Sequence, residues 1–139
     1  MPQPIRDDSA GIDLHHRFQQ YTTVDASPSA GSETVIATLT LSDFGDLAVV
    51  KGIEVYGWAA FTVGTSGVSA NLKIRQTNVS GTTIVASGAT TVSATNLKAL
   101  EVAGFDAGVG ASSYALTLTI GSGAAASTVS ALMLRAVII

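Results

Sequence analysis

The chain alternates apolar and polar residues over several short runs, and a period of two belongs to half-buried strands. In TVIATLTL, residues 34–41, Val35, Ala37, Leu39 and Leu41 fall on one face. In VSANLKIRQ, Val68, Ala70, Leu72 and Ile74 alternate with Ser69, Asn71, Lys73 and Arg75. Tyr114, Leu116, Leu118 and Ile120 share one face of SYALTLTI, opposite Ala115, Thr117 and Thr119. The last run, STVSALMLRAVII, sets Leu132, Leu134, Ala136 and Ile138 against Val129, Met133 and Arg135. Turn-forming clusters separate these runs: SDFGD, GTSG, NVSG, SGAT, GFDAGVGASS and GSGAAA. Gly supplies positive φ there, and Asn, Asp and Ser bond to nearby backbone.

The pattern predicts strands over 33–42, 48–55, 56–63, 67–76, 82–86, 97–103, 113–120 and 127–138. The two that meet at Gly57 also fit one long bent strand. No segment carries a capped apolar stripe of helical period; only 12–20 allows a short turn. About eight short strands predict an all-β fold, a two-sheet antiparallel sandwich. The jelly roll is the usual eight-strand form. The immunoglobulin-like sandwich is the alternative, but a cysteine-free chain cannot show its Cys and Trp hallmarks.

Composition shifts near residue 31. Before it stand prolines, Asp, Gln and both histidines; after it Val, Thr, Ile, Leu, Ala and Gly dominate. The turn-rich DASPSAG closes the first part. The expected organisation is an extended N-terminal arm over 1–31 and a sandwich over 32–139. The start, MPQPIRDD, lacks the pattern of a secretory signal, and no apolar run reaches the ~18 residues of a membrane span. Synthesis in a cytoplasm, without secretion, and no membrane partner are therefore expected.

Charge changes the picture further. Only 12% of residues are charged and the net is −3. Seven Lys and Arg spread thinly supply no basic stripe, so no nucleic-acid partner is expected. Soluble surfaces usually hold charges at roughly a quarter to a third of positions. Either part of this surface is hidden against neighbours, or a neutral Ser/Thr/Gly/Ala surface keeps the chain soluble.

Candidate chemistry is sparse. The chain has no cysteine, which removes disulfides and thiolate sites. From Ser32 onward there is no histidine, and the acids are Glu33, Asp43, Asp46, Glu54, Glu101 and Asp106. Asp43, Asp46 and Asp106 read as turn residues, and nothing pairs Glu54 with Glu101 as glycosidase carboxylates. SDFGD offers too few acids for a calcium loop, and GVGASS has no lysine for a phosphate cradle. The sequon at Asn78 reads as a hairpin turn. His15 and His16 are adjacent, so in an extended chain they point to opposite sides, and Asp13 with His15 lacks a third ligand. No catalytic residue, metal or cofactor is expected, and no enzyme.

Two groups read instead as contacts. In the arm, Ile12, Leu14, Phe18 and Tyr21 supply apolar surface and His15, His16 and Arg17 polar surface. Such an arm buries too little to fold alone, so it is expected to be held, by another chain in preference to its own body. In GIEVYGWAAFTV, Ile53, Val55, Ala59 and Phe61 share one face, with Tyr56, Trp58 and Glu54 on the other. Tyr56 and Trp58 are either interface anchors, with a sugar platform as a variant, or core covered by the arm or a loop.

A polar arm leads into ETVIATLTL, followed by GIEVYGWAAFTVGTSGVSANLKIRQ, GTTIVASGAT, SYALTLTI and AASTVSALMLRAVII. This string of cysteine-free strands, rich in Thr, Ser, Gly and Ala, resembles the jelly-roll structural proteins of tailed bacteriophages, most of all their capsid decoration (cement) proteins. The resemblance covers residues 30–139 in strand pattern. It implies a homotrimer on the outside of a capsid, bound to the major capsid protein and stabilising the shell, with residues 1–31 as the reaching terminus. It implies no catalytic residue. The alternatives are another virion component, such as a minor or major jelly-roll capsid protein or a tail, baseplate or fibre receptor-binding module, or a carbohydrate-binding sandwich.

Overall fold

A computed structural model of the chain describes residues 18–41, 51–107, 113–124 and 126–139. The described residues form β1 (Phe18–Tyr21), β2 (Glu33–Thr40), β3 (Gly52–Val63), β4 (Val68–Gln76), β5 (Thr83–Ala86), β6 (Thr90–Val92), β7 (Lys98–Ala107), β8 (Ser113–Ile120) and β9 (Ser127–Ile138). The runs meeting at Gly57 are one strand, the bent-strand alternative. Gly57 keeps extended pairing with Val102 on one side and Leu134 on the other. It is there for close approach: a Cβ would meet Leu116 Cδ1 of the facing sheet at 2.8 Å. β1 and β6 are additions to the expected set, and β7 runs past residue 103 to Ala107.

Two antiparallel sheets face each other. One has the order β1-β9-β3-β7, the other β2-β8-β4-β5, with β6 also on β4. The chain changes sheet at every connection except β4-β5-β6. That alternation winds two Greek keys around one core, which is a jelly roll. Between the sheets lie Ile53, Val55, Phe61, Leu134 and Ile138 from the first and Ile36, Leu72, Ile74, Leu116, Leu118 and Ile120 from the second. Each is 2% exposed or less. Side chains of this size contribute roughly 1.5–3 kcal/mol apiece when fully buried.

Of the expected arm, residues 18–31 are built into the sandwich. Phe18–Tyr21 pairs antiparallel with Leu134–Val137. The chain then crosses to the other sheet, with Val24 packed on the core. The Asp25 N–H donates to the Ile36 carbonyl at 2.9 Å, and Ala30 forms a parallel bridge with Ile120. Ser27 Oγ accepts the Val129 N–H at 3.0 Å. These contacts supply what the segment lacks alone, a partner for its backbone and a place for its apolar side chains. Ile12, Leu14, His15, His16 and Arg17 lie outside the described residues, as does SDFGD.

Three faces differ from the alternation read in sequence. In β2 a bulge between Val35 and Ala37 puts Ile36 in the core beside Ala37, and leaves Val35 half-buried outside it. In β9 the pairing steps from Ala60–Ala131 to Phe61–Val129, so Ser130 is the extra residue. Val129 therefore turns inward and is 5% exposed, rather than joining Met133 and Arg135. β8 is buried on both faces: Ala115 and Thr117 are fully covered although they point away from the core. It lies between β2 and β4, whose long polar side chains close over it.

Asp106 is also not a turn residue. It ends the inward row of β7, almost buried, and its Oδ2 accepts from Tyr114 Oη at 2.6 Å and Gln76 Nε2 at 3.0 Å. NVSG is the expected hairpin turn: Asn78 Oδ1 accepts the Ser80 N–H at 2.9 Å.

Candidate interaction surface

The two outer faces of the sandwich differ in kind. On the four-stranded sheet, pairing lines up Phe18, Val137, Glu54 and Phe105 in one row. Gln20, Arg135, Tyr56 and Ala103 form the next, then Met133, Trp58 and Glu101, then Ala131, Ala60 and Ala99. Aromatic, aliphatic and alanine side chains therefore hold most of a face that looks outward. Phe18 and Phe105 are 49% and 50% exposed, and Tyr56 and Trp58 are half-buried among these neighbours. Gly52 makes room for Phe105: a Cβ there would strike the ring, 2.2 Å from its Cζ.

The charges on this face are arranged around the rings. The Arg135 guanidinium carbon lies 5.0 Å from the Tyr56 ring centroid and 5.5 Å from that of Phe18. A guanidinium over a ring is attracted to its electron-rich face, and its weak hydration favours such sites. Tyr56 Oη donates to Glu101 Oε2 at 2.9 Å, which raises the phenol pKa and fixes the ring. Two shallow depressions flank this group. One, of about 160 Å³, is lined by Glu54, Val55, Tyr56, Ala103, Gly104, Arg135 and Val137. The other, of about 360 Å³, lies beside Trp58 against Ala99, Leu100 and Glu101.

The outer face of the other sheet is polar, and its charged groups are matched to one another around Glu33. Glu33 on β2 accepts from Arg75 through Nε and, at 2.9 Å, through Nη2, a bidentate pair. Thr117 Oγ1 donates to the same carboxylate at 2.7 Å, and Lys73 Nζ stands 3.6 Å away. Arg75 Nη1 also reaches the Gly81 carbonyl at 3.0 Å and Thr83 Oγ1 at 2.6 Å. Arg75 above all, then Thr117 and Lys73, holds the Glu33 carboxyl down at about 2. A face whose charged groups are matched within the chain offers little charge to a partner. The aromatic face differs in leaving large apolar side chains, Phe18 and Phe105, half exposed.

Tyr56 and Trp58 thus point outward with Glu54, as their phase indicates. Phe18 reaches the same face from β1. Tyr21 turns the other way, packs against the core, and donates from Oη to Asp25 Oδ1 at 2.6 Å. Sequence reasoning missed Phe105, because the strand was ended at residue 103; the alternation Ala99, Glu101, Ala103, Phe105 is the signal that locates it. It also missed Arg135 as the partner of two rings, since β9 and β3 meet only through tertiary pairing. Among the described residues no three His, Cys, Asp or Glu side chains gather where one metal ion could sit.

No protein-family model matches the chain. No curated protein matches it either. Solved structures do match. A structure of infectious bursal disease virus, Gx strain, superposes with a TM-score of 0.60 at 12% identity, over 87% of this chain and 32% of that one. The VP2 subviral particle of the same virus gives 0.58 at 12%, over 87% and 32%. Its T13 viral particle gives 0.58 at 11%, over 88% and 31%. The chain spans about a third of the length of each of these chains. At such identity the likeness is one of fold: the chain shares its β-sandwich with a segment of these virus-particle proteins.

Proposed function

We propose that the protein is a structural component of a virus particle, a capsid decoration protein that binds the outside of the major capsid shell and stabilises it. The observation that carries this reading is the aromatic outer face of the β1-β9-β3-β7 sheet, opposite a polar face whose charged groups are matched to one another. The protein works by docking and not by catalysis. Trp58, Phe105, Phe18 and Met133 supply the apolar contact. Tyr56 and Arg135, held by Glu101 and by stacking, enter the interface already ordered, so little side-chain entropy is lost on binding. A homotrimer holding several shell subunits gains through effective concentration, so modest contacts suffice at each site. The shared fold with virus-particle proteins supports the virion setting.

A shell-forming role is the second reading, favoured by the same fold likeness. A sugar platform fits less well: Arg135 lies over the Tyr56 ring, where a sugar would stack.

The test mixes the purified protein with capsid shells of its source virus and sediments them. The wild type should co-sediment to saturation. The double variant Trp58→Ser, Phe105→Ser should keep its circular dichroism and bind at least about tenfold more weakly, as loss of central aromatic anchors implies. A folded wild type that stays in the supernatant overturns the decoration reading. Closed shells assembled from this chain alone establish the second one.

A further inference from the structure

The four sheet ends are not treated alike. Among the described residues β1 and β5 offer four residues each, a short template. β2 carries a bulge, and the crossing chain takes its Ile36 carbonyl. Bulges, short strands and covering segments are the usual ways of keeping an edge from pairing. Among the described residues β7 shows none of them. It runs ten residues, Lys98–Ala107, in unbroken register with β3 on one side. Among the described residues no backbone hydrogen bond reaches its other side. It contains no proline, and its lysine stands at its very start.

We propose that β7 is a homotypic pairing edge: it joins β7 of a second copy, antiparallel about a two-fold axis, and fuses two four-stranded sheets into one. The strand is its own complement. With Val102 facing Val102 of the second copy, Lys98 faces Asp106, Ala99 faces Phe105 and Glu101 faces Ala103. A small residue meets each large one: Ala99 stands opposite Phe105 and Gly104 opposite Leu100. Centring the pair on Glu101 instead sets carboxylate against carboxylate, which disfavours that register. A foreign strand has no such match written into this one, so the occupant is the same chain. The contact is isologous, each residue pair occurring twice. It also continues the aromatic face across the seam, from Phe105 of one copy to Ala99 of the other. The edge borders the face proposed to meet the shell and shares Phe105 with it, but the bonds it forms are those of the β7 backbone. It joins copies in solution whether or not the virion reading holds.

The test uses the exposed Ala103, whose substitution leaves the core untouched. Ala103→Glu faces Glu101 of the second copy twice per pair; Ala103→Lys faces it with opposite charge. Analytical ultracentrifugation over a concentration series should show the wild type and Ala103→Lys at twice the mass of Ala103→Glu. Adding Glu101→Lys to Ala103→Glu should restore the doubled mass. The chain has no cysteine, so Glu101→Cys with Ala103→Cys should form a disulfide-linked pair of copies on oxidation. Equal mass for wild type, Ala103→Glu and Ala103→Lys at every concentration overturns the proposal. So does a double-cysteine variant that oxidises without linking two copies. Because none of these readouts involves a shell, loss of shell binding and loss of edge pairing are told apart.

Discussion

At Glu33 one carboxylate ties three neighbouring strands: β2 by its backbone, β4 through Lys73 and Arg75, and β8 through Thr117. Its carboxyl titrates at about 2 in the fold, against 4.5 for an unperturbed group. A depressed folded value means the carboxylate contribution is complete above pH 4.5 and is lost as pH falls toward about 2. Partial exposure screens the pair, which leaves roughly 1–2 kcal/mol at neutral pH. Thermal melts should therefore show Glu33→Gln less stable than wild type at pH 7. The difference should close on acidification through this window, and a constant gap down to pH 2 refutes the assignment. Gly57 makes a second residue-scale point. Leu116 Cδ1 and Ile74 Cδ1 would lie 2.8 and 3.3 Å from an added Cβ. The tips of flexible side chains can give way to one methyl, but a branched side chain forces the sheets apart. Gly57→Val should cost about 1–3 kcal/mol in urea unfolding, the usual range for overpacking.

Strands in this protein are defined as much by their irregularities as by their alternation. The extra Ser130 in β9 is what lets Val129 face the core while Arg135 faces out beside Tyr56. Deleting Ser130 leaves Val129 next to Ala131 and still opposite Phe61, so a regular alternation keeps Val129 in the core and Thr128 outside it. Core burial is then kept, so chemical denaturation should move by no more than about 1 kcal/mol, and a loss of several kcal/mol refutes Ser130 as the extra residue. The aromatic rows nearer the C-terminal end would keep their phase. β1 carries the opposite lesson: four residues with weak alternation become a strand because β9 offers an edge and the core offers Val24 a place.

For the whole molecule, the asymmetry between faces decides behaviour. With 12% charged residues and an aromatic outer face, association should rest on apolar burial, not on ion pairs. Sodium chloride should then change self-association little. Sulfate, excluded from the surface, should strengthen it. Sedimentation in both salts checks this, and dissociation by moderate sodium chloride would point to an electrostatic contact instead.

The sequence by itself determined the strands of the body and which way most of their residues point. Those follow from a local period of two and from turn residues that act within a few positions. Tyr56 and Trp58 could be placed on an outer face because Ile53, Val55, Ala59 and Phe61 occupy the alternate positions. Tertiary structure decided the rest. A bulge has no residue signature of its own, since it is set by which neighbour pairs with which. The burial of Ala115 and Thr117 depends on β8 lying between β2 and β4. The stacking of Arg135 on Tyr56 and Phe18 depends on three strands, from opposite ends of the chain and its middle, lying side by side. Pairing over such separations is selected by the energy of the whole core, and no local pattern records it.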